Sequence, residues 1–79
     1  MTIVYSRIAK KRIESFDKPT KQRVKSAIEK LPLGDVKKLK GYNNEYRLRV
    51  GNLRVLFTYT DDNIIINDIL PRGQAYNRI

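Results

Sequence analysis

The chain has 79 residues with no Cys and no His, and its 17 basic against 8 acidic side chains give a net charge of +9. Those counts exclude a disulfide framework and the usual thiolate or imidazole metal sites, so any catalysis falls to Tyr, Lys, Arg or carboxylates and no metal or other cofactor is expected. So short a chain predicts one domain, residues 1–79, with a small core and neither a signal peptide nor a membrane span.

Thr2 to Ser6 is β-branched and aromatic and predicts a first strand. Ser6 stands where it can cap a helix beginning at Arg7, in which Ala9, Ile13 and Phe16 share one stripe with Ile8 at its margin. Asp17-Lys18-Pro19-Thr20 interrupts that pattern and opens a second helix, with Pro19 in its first turn. Val24, Ala27, Ile28 and Leu31 form its apolar face, and Pro32 to Asp35 ends it with Gly34 available as a positive-φ cap. The two stripes predict a helical hairpin that needs a flat apolar surface to cover. Residues 35–44, DVKKLKGYNN, read as a connector anchored by Val36 and Leu39. Its Lys37, Lys38 and Lys40 are either a solvated loop cluster or second-tier phosphate contacts.

Residues 46–59, YRLRVGNLRVLFTY, predict the hairpin that supplies the flat surface. Gly51-Asn52 fits a type II′ turn, which fixes Val50 opposite Leu53, Arg49 opposite Arg54, Leu48 opposite Val55 and Tyr46 opposite Phe57. Alternation then puts Tyr46, Leu48, Val50, Leu53, Val55, Phe57 and Tyr59 on one face and Arg47, Arg49 and Arg54 on the other. Two arginines directly across from each other cost stability unless an anion sits between them. Single arginines on an edge need no explanation, since their stems cover apolar surface; three on one hairpin face predict an anion site. After the polar turn 60–63, the run IIINDIL predicts a central strand beside the hairpin. A loop of Asp61 to Asn63 sets Ile65 opposite Tyr59 and Ile69 opposite Val55 on the core side. Ile66, Asp68, Leu70 and Arg72 then share the face of Arg54, and Asn67 points inward. Asp68 reads as a structural partner for a neighbouring arginine. The tail leaves the sheet at Pro71 and presents Arg72, Tyr76 and Arg78.

The charge is unevenly spread. Residues 1–40 hold nine Lys and three Arg against four acids, a balance of +8, whereas residues 41–79 hold five Arg and no Lys against four acids, a balance of +1. The first half offers a diffuse field that steers polyanions, the second a planar, bidentate cation suited to particular phosphate oxygens. A nucleic acid, an acidic protein, or both are the expected partners.

The LKG segment at Leu39 to Gly41, the YRLRVGNLRVLF hairpin and the closing ILPRGQAYNRI, in that order behind a strand and two helices, resemble the RelE-like branch of the RelE/ParE toxins of bacterial type II toxin–antitoxin systems. The resemblance covers essentially the whole chain. It implies an α+β fold, β-α-α-β-β-β, with the helical hairpin packed on one face of a small antiparallel sheet. It further implies a cytoplasmic, ribosome-dependent endoribonuclease that cuts mRNA in the A site, held in check by an acidic RelB-like antitoxin whose complex with the toxin can bind operator DNA. Carried over residue by residue, Arg47 and Arg49 match the family's basic pair, Arg54 and Arg72 its next two arginines, and Tyr76 its C-terminal tyrosine. These hold the scissile phosphate and help the ribose 2′-OH attack it. The residues agree with that chemistry: arginine forks suit the charge on a pentacoordinate phosphorus, and a guanidinium cluster would favour the phenolate of Tyr76 as the base. Arg49, Arg54, Arg72 and Tyr76 are therefore the candidate catalytic set, with Arg47, Arg49, Lys37, Lys38, Lys40 and Arg78 as candidate RNA contacts. The basic pair is often lysine in the family. Arginine hardly gives up a proton, so protonation of the leaving 5′-oxygen is left to Arg72 or water, and a packing role for Tyr76 stays open. Two rival classes are a ParE-like toxin that binds gyrase without cleaving anything, and a non-catalytic RNA-binding module. The latter is disfavoured because the strand aromatics face the core.

Overall fold

A computed structural model describes residues 2–71 as five strands and two helices. In chain order they are β1 (Thr2–Tyr5), α1 (Arg7–Ser15), α2 (Lys18–Glu29), β2 (Val36–Lys38), β3 (Glu45–Val50), β4 (Leu53–Thr60) and β5 (Asn63–Pro71). One sheet runs β1-β5-β4-β3-β2, with β1 parallel to β5 and every other pairing antiparallel. The α+β class and the helical hairpin on one sheet face are as expected. The sheet is mixed rather than wholly antiparallel, because the whole chain between β1 and β5 acts as the long crossover a parallel pair requires. It also has one strand more than expected. Within the supposed connector, Val36 pairs with Leu48 and Lys38 with Tyr46, so an edge strand replaces a loop.

Helix starts follow their capping residues. The Ser6 hydroxyl accepts the Ala9 N–H at 3.0 Å, and the Asp17 carboxylate accepts the Thr20 N–H at 3.2 Å. Ala9 and Ile13 of α1, with Val24 and Ile28 of α2, pack against Leu48, Val55, Phe57, Ile64, Ile66 and Ile69. Tyr46 stacks on Phe57, with ring centroids 5.6 Å apart, and meets Tyr59 edge-on at 6.0 Å. Gly34 does not cap α2. Lys30 ends that helix, donating its N–H to the carbonyls of Ala27 and Ile28. Gly34, at φ +118°, instead serves the turn into β2, where a Cβ would come within 3.1 Å of Leu48 Cδ1.

The hairpin register matches expectation at every named pair, and Gly51 at φ +58° is the positive-φ turn residue. The register of β5 differs. The turn is only Asp61-Asp62, with Thr60 paired to Asn63, so Ile64 rather than Ile65 lies opposite Tyr59. Ile64 and Ile66 are thereby buried in the core, and Ile65 is exposed. A bulge between Leu56 and Phe57 then absorbs one residue of β5 and restores the expected pairing of Ile69 with Val55. The bulge turns Asn67 outward, where its amide reaches Thr58 Oγ1 at 2.9 Å and Glu45 Oε2 at 3.3 Å. A polar side chain that the simple register would have buried is satisfied instead. Among the described residues, no helix is long and apolar enough to cross a membrane.

Candidate functional site

The sheet face opposite α1 and α2 collects the predicted cations. Lys37 pairs with Arg47, Arg49 follows two residues on, and Arg49 pairs with Arg54. Directly paired Cβ atoms lie about 5 Å apart and diagonal ones about 7–8 Å, so these four residues form one continuous basic line. Lys38 pairs with Tyr46 and so falls on the other face; Lys40 lies beyond β2. Only Lys37 of the three lysines therefore shares the arginine face, since alternation along the strand separates it from Lys38.

The three arginines differ in environment. Arg49 is exposed. Arg47 is held in place: its Nη1 donates to the Asp35 carbonyl at 3.0 Å and meets the Asp35 carboxylate at 3.4 Å. Arg54 is buried, at 3% exposure. Its Nη1 donates to the carbonyls of Leu53 at 3.0 Å and Gly51 at 3.3 Å, and its Nε has no acceptor among the described residues. Among the described residues neither Arg49 nor Arg54 has an acidic partner. A buried guanidinium satisfied only by carbonyl groups, with a like charge directly across the ladder, is a costly arrangement. A bound anion would relieve it.

Asp68 is buried and pairs with an arginine as expected, but the arginine comes from a helix: Arg12 Nε donates to its carboxylate at 3.0 Å. The same oxygen accepts the Ile69 N–H at 2.8 Å. β1 covers β5 only as far as Ile66, so Arg12 meets Asp68 where the strand edge is free. Beside the bulge, both carboxylate oxygens of Glu45 accept from the Thr58 hydroxyl, at 3.0 and 2.9 Å. Burial, and the nearby Glu29 carboxylate, push the Tyr5 phenol above its ordinary range. Asp35, Arg12 and Glu45 were not singled out by sequence reasoning. An acid inside the apolar run IIINDIL does signal that some cation must approach it, whereas the contact between Asp35 and Arg47 depends on the unforeseen β2. Arg72, Tyr76 and Arg78 lie outside the described residues.

The family model described as the ParE toxin of the parDE type II toxin–antitoxin system matches residues 3–76. Toxin RelE3 of Methanocaldococcus jannaschii is 46% identical over 43 residues, a match that covers 54% of this chain and about half, 49%, of that protein. The chain is similar in structure to a RelB-RelE antitoxin-toxin complex from Methanococcus jannaschii, with TM-score 0.79 and 30% identity over 96% of this chain and 98% of that one. It is also similar to an archaeal RelE-RelB complex from Pyrococcus horikoshii OT3, with TM-score 0.71 and 27% identity over 92% and 96% of the two chains. With its fold and nearly its whole length matched, the chain belongs to the RelE/ParE superfamily of type II toxin–antitoxin toxins.

Proposed function

We propose that this toxin is a ribosome-dependent endoribonuclease that cuts mRNA in the A site, with the open sheet face as its phosphate cradle. The observation that carries this reading is Arg54, a buried guanidinium without a carboxylate partner among the described residues, directly opposite the exposed Arg49. A phosphodiester supplies the missing negative charge and draws both forks onto non-bridging oxygens. Attack by the ribose 2′-oxygen forms the new O–P bond while the P–O5′ bond breaks. Tyr76, as phenolate, takes the 2′-OH proton, and Arg72 or water returns one to the leaving 5′-oxygen. The products are a 2′,3′-cyclic phosphate and a 5′-hydroxyl. Arg49 and Arg54 stabilise the charge that builds on phosphorus. Arg47, Lys37 and Arg78 extend the path of the RNA backbone, and Lys38 and Lys40 act only through the general field. The chain works in the cytoplasm, requires no metal, and is neutralised by an acidic RelB-like antitoxin; the two similar archaeal proteins are found in complexes of RelE with RelB.

A reporter mRNA in a translation extract tests this reading. Wild type should cut the message only in the presence of ribosomes, and Arg54→Ala and Tyr76→Phe should each lower the rate by about 10²-fold or more, as the loss of one charge-stabilising or proton-transferring group does. Intact mRNA with the wild-type protein would overturn it. The family model named for ParE supports a second reading, a toxin that binds gyrase. That reading predicts intact mRNA and stalled DNA supercoiling in the same extract.

A further inference from the structure

The open sheet face extends beyond the arginines. Across its other end the ladder lines up Val4, Ile65, Thr58 and Glu45, one each from β1, β5, β4 and β3. Their neighbours Ile3, Tyr5, Ile64 and Ile66 pack into the core, so Val4 and Ile65 point away from the helices. The two lie side by side, 49% and 39% exposed, and form a small apolar shelf. Glu45 stands two residues before Arg47 on the same face, about 7 Å along the strand, yet it pairs with no cation among the described residues. We propose that this row is a base-recognition subsite: the shelf carries a guanine of the RNA strand, and the Glu45 carboxylate reads the edge of that base. The inference rests on the reading that the arginines hold an RNA strand, and it makes Glu45 the residue that selects where the strand is cut.

Three observations select that occupant. The first is the spare acceptor capacity of Glu45. Its two oxygens share the single proton of the Thr58 hydroxyl, at 3.0 and 2.9 Å, and one of them accepts from the Asn67 amide at 3.3 Å. A carboxylate has about four acceptor positions, so about two stay open. The second is that the carboxylate is braced. Asn67 also donates to Thr58 Oγ1 at 2.9 Å, and the Ser6 hydroxyl donates to the Asn67 backbone carbonyl at 2.8 Å. A fixed pair of acceptors suits guanine, whose N1–H and N2–H2 donors are adjacent. Adenine and cytosine set a ring acceptor beside their one amine, and uracil flanks its one N–H with carbonyls, so each turns a lone pair toward the carboxylate. The third is the order of charge. Arg49 and Arg47 precede Glu45 along one strand face, so the phosphates keep to the cations while a base reaches past them to the acid and the shelf. Apolar side chains suit a base and offer nothing to a phosphate. An acidic protein segment would meet Glu45 as a like charge, and a second copy of the chain would bring a further +9.

The test uses the full chain and messages in the translation extract that carry guanine, adenine or inosine at each A-site position in turn. At one position wild type should cut beside guanine about tenfold faster than beside adenine, the discrimination one bidentate contact supplies. Inosine lacks the N2 amine and should be cut more slowly than guanine there. Glu45→Gln keeps the shape and replaces one acceptor by a donor. In that variant the guanine-to-adenine ratio should fall to within about twofold, and guanine and inosine should be cut alike. Circular dichroism confirms that the variant folds. Binding is read without cleavage by nuclear magnetic resonance titration with 2′-O-methyl trinucleotides. The guanine-containing one should shift the Val4 and Ile65 methyl signals and bind about tenfold tighter than its adenine counterpart. Cleavage indifferent to the base, or a ratio unchanged in Glu45→Gln, would overturn the subsite and leave the nuclease standing. An intact message with guanine-selective binding would overturn the nuclease alone, and an intact message with unselective binding would overturn both.

Discussion

Replacing Arg54 by methionine should make the protein more stable and abolish its activity. The side chain is 3% exposed, its guanidinium meets two backbone carbonyl groups and no acid among the described residues, and Arg49 stands directly opposite. Hydrogen bonds from a charged donor contribute about 1.5–3 kcal/mol each at best. Burying an ion costs several kcal/mol even after relaxation, and the like charge across the ladder adds about 0.2–1 kcal/mol. Exchanging buried ionic groups for apolar ones of similar volume is often stabilising by about 1–4 kcal/mol. With two carbonyl bonds lost, the lower end of that range applies, about 1–2 kcal/mol. In a domain of this size each kcal/mol moves Tm by about 4–8 °C. Urea midpoints and thermal melts of the isolated toxin measure the gain. Added inorganic phosphate should raise the wild-type Tm and leave that of Arg54→Met unchanged, because only the native guanidinium recruits the anion. A midpoint that falls in Arg54→Met would show that this cation serves the fold, and the case for an anion cradle would lose its foundation.

Three further outcomes follow from the same structure. Hydrogen bonds from the Thr20 side chain and backbone hold the Asp17 carboxyl below its ordinary range. Its contribution to stability is therefore present above the unfolded-state value and lost as pH falls through the lower folded one, so Asp17→Asn should flatten that part of the acid limb in pH-dependent urea unfolding. Thr58→Val removes the hydroxyl that bonds both oxygens of Glu45 and accepts from Asn67, and should cost about 1–3 kcal/mol by denaturant titration. Phe57 is fully buried against Tyr46; Phe57→Ala should cost about 3–5 kcal/mol and leave a chain this short close to unfolded at 37 °C, seen as loss of near-ultraviolet dichroism.

Legibility in the sequence tracked the range of the interaction that decides each feature. The caps at Ser6 and Asp17, the stripes of α1 and α2, and the β3–β4 register are set within a few residues, and each could be read directly. The β2 edge strand could not, because Val36 alternates with Lys37 over only three residues and becomes a strand only by pairing with Leu48, twelve positions away. The phase of β5 was misread for a related reason. A three-residue loop and a two-residue loop differ by one position, and the bulge at Asn67 cancels the difference before Ile69. The inward Asn67 of the simple register was the warning, since an uncompensated amide in the core calls for some local correction. For the site, the opposed arginines were legible because a tight turn dictates them. The burial of Arg54 and the hold of Asp35 on Arg47 were not, as both depend on side chains brought together by the sheet.

Two basic regions of this toxin differ in what lies beside the charge. On the open face, a guanidinium is buried without an acid among the described residues, and another stands opposite it across the ladder. The charge there is concentrated and geometrically fixed, with Arg47 further constrained by Asp35. Such a surface rewards a ligand of small, dense negative charge and rejects an apolar one. Along α2 the cations border exposed leucine, and Asp35 stands among them, so the charge there is diluted by apolar and acidic neighbours. A phosphodiester fits the first description. Arg49 lines the groove beside α2 and also completes the arginine pair. Any ligand that engages Arg49 from the groove side would therefore draw on the same guanidinium that faces Arg54.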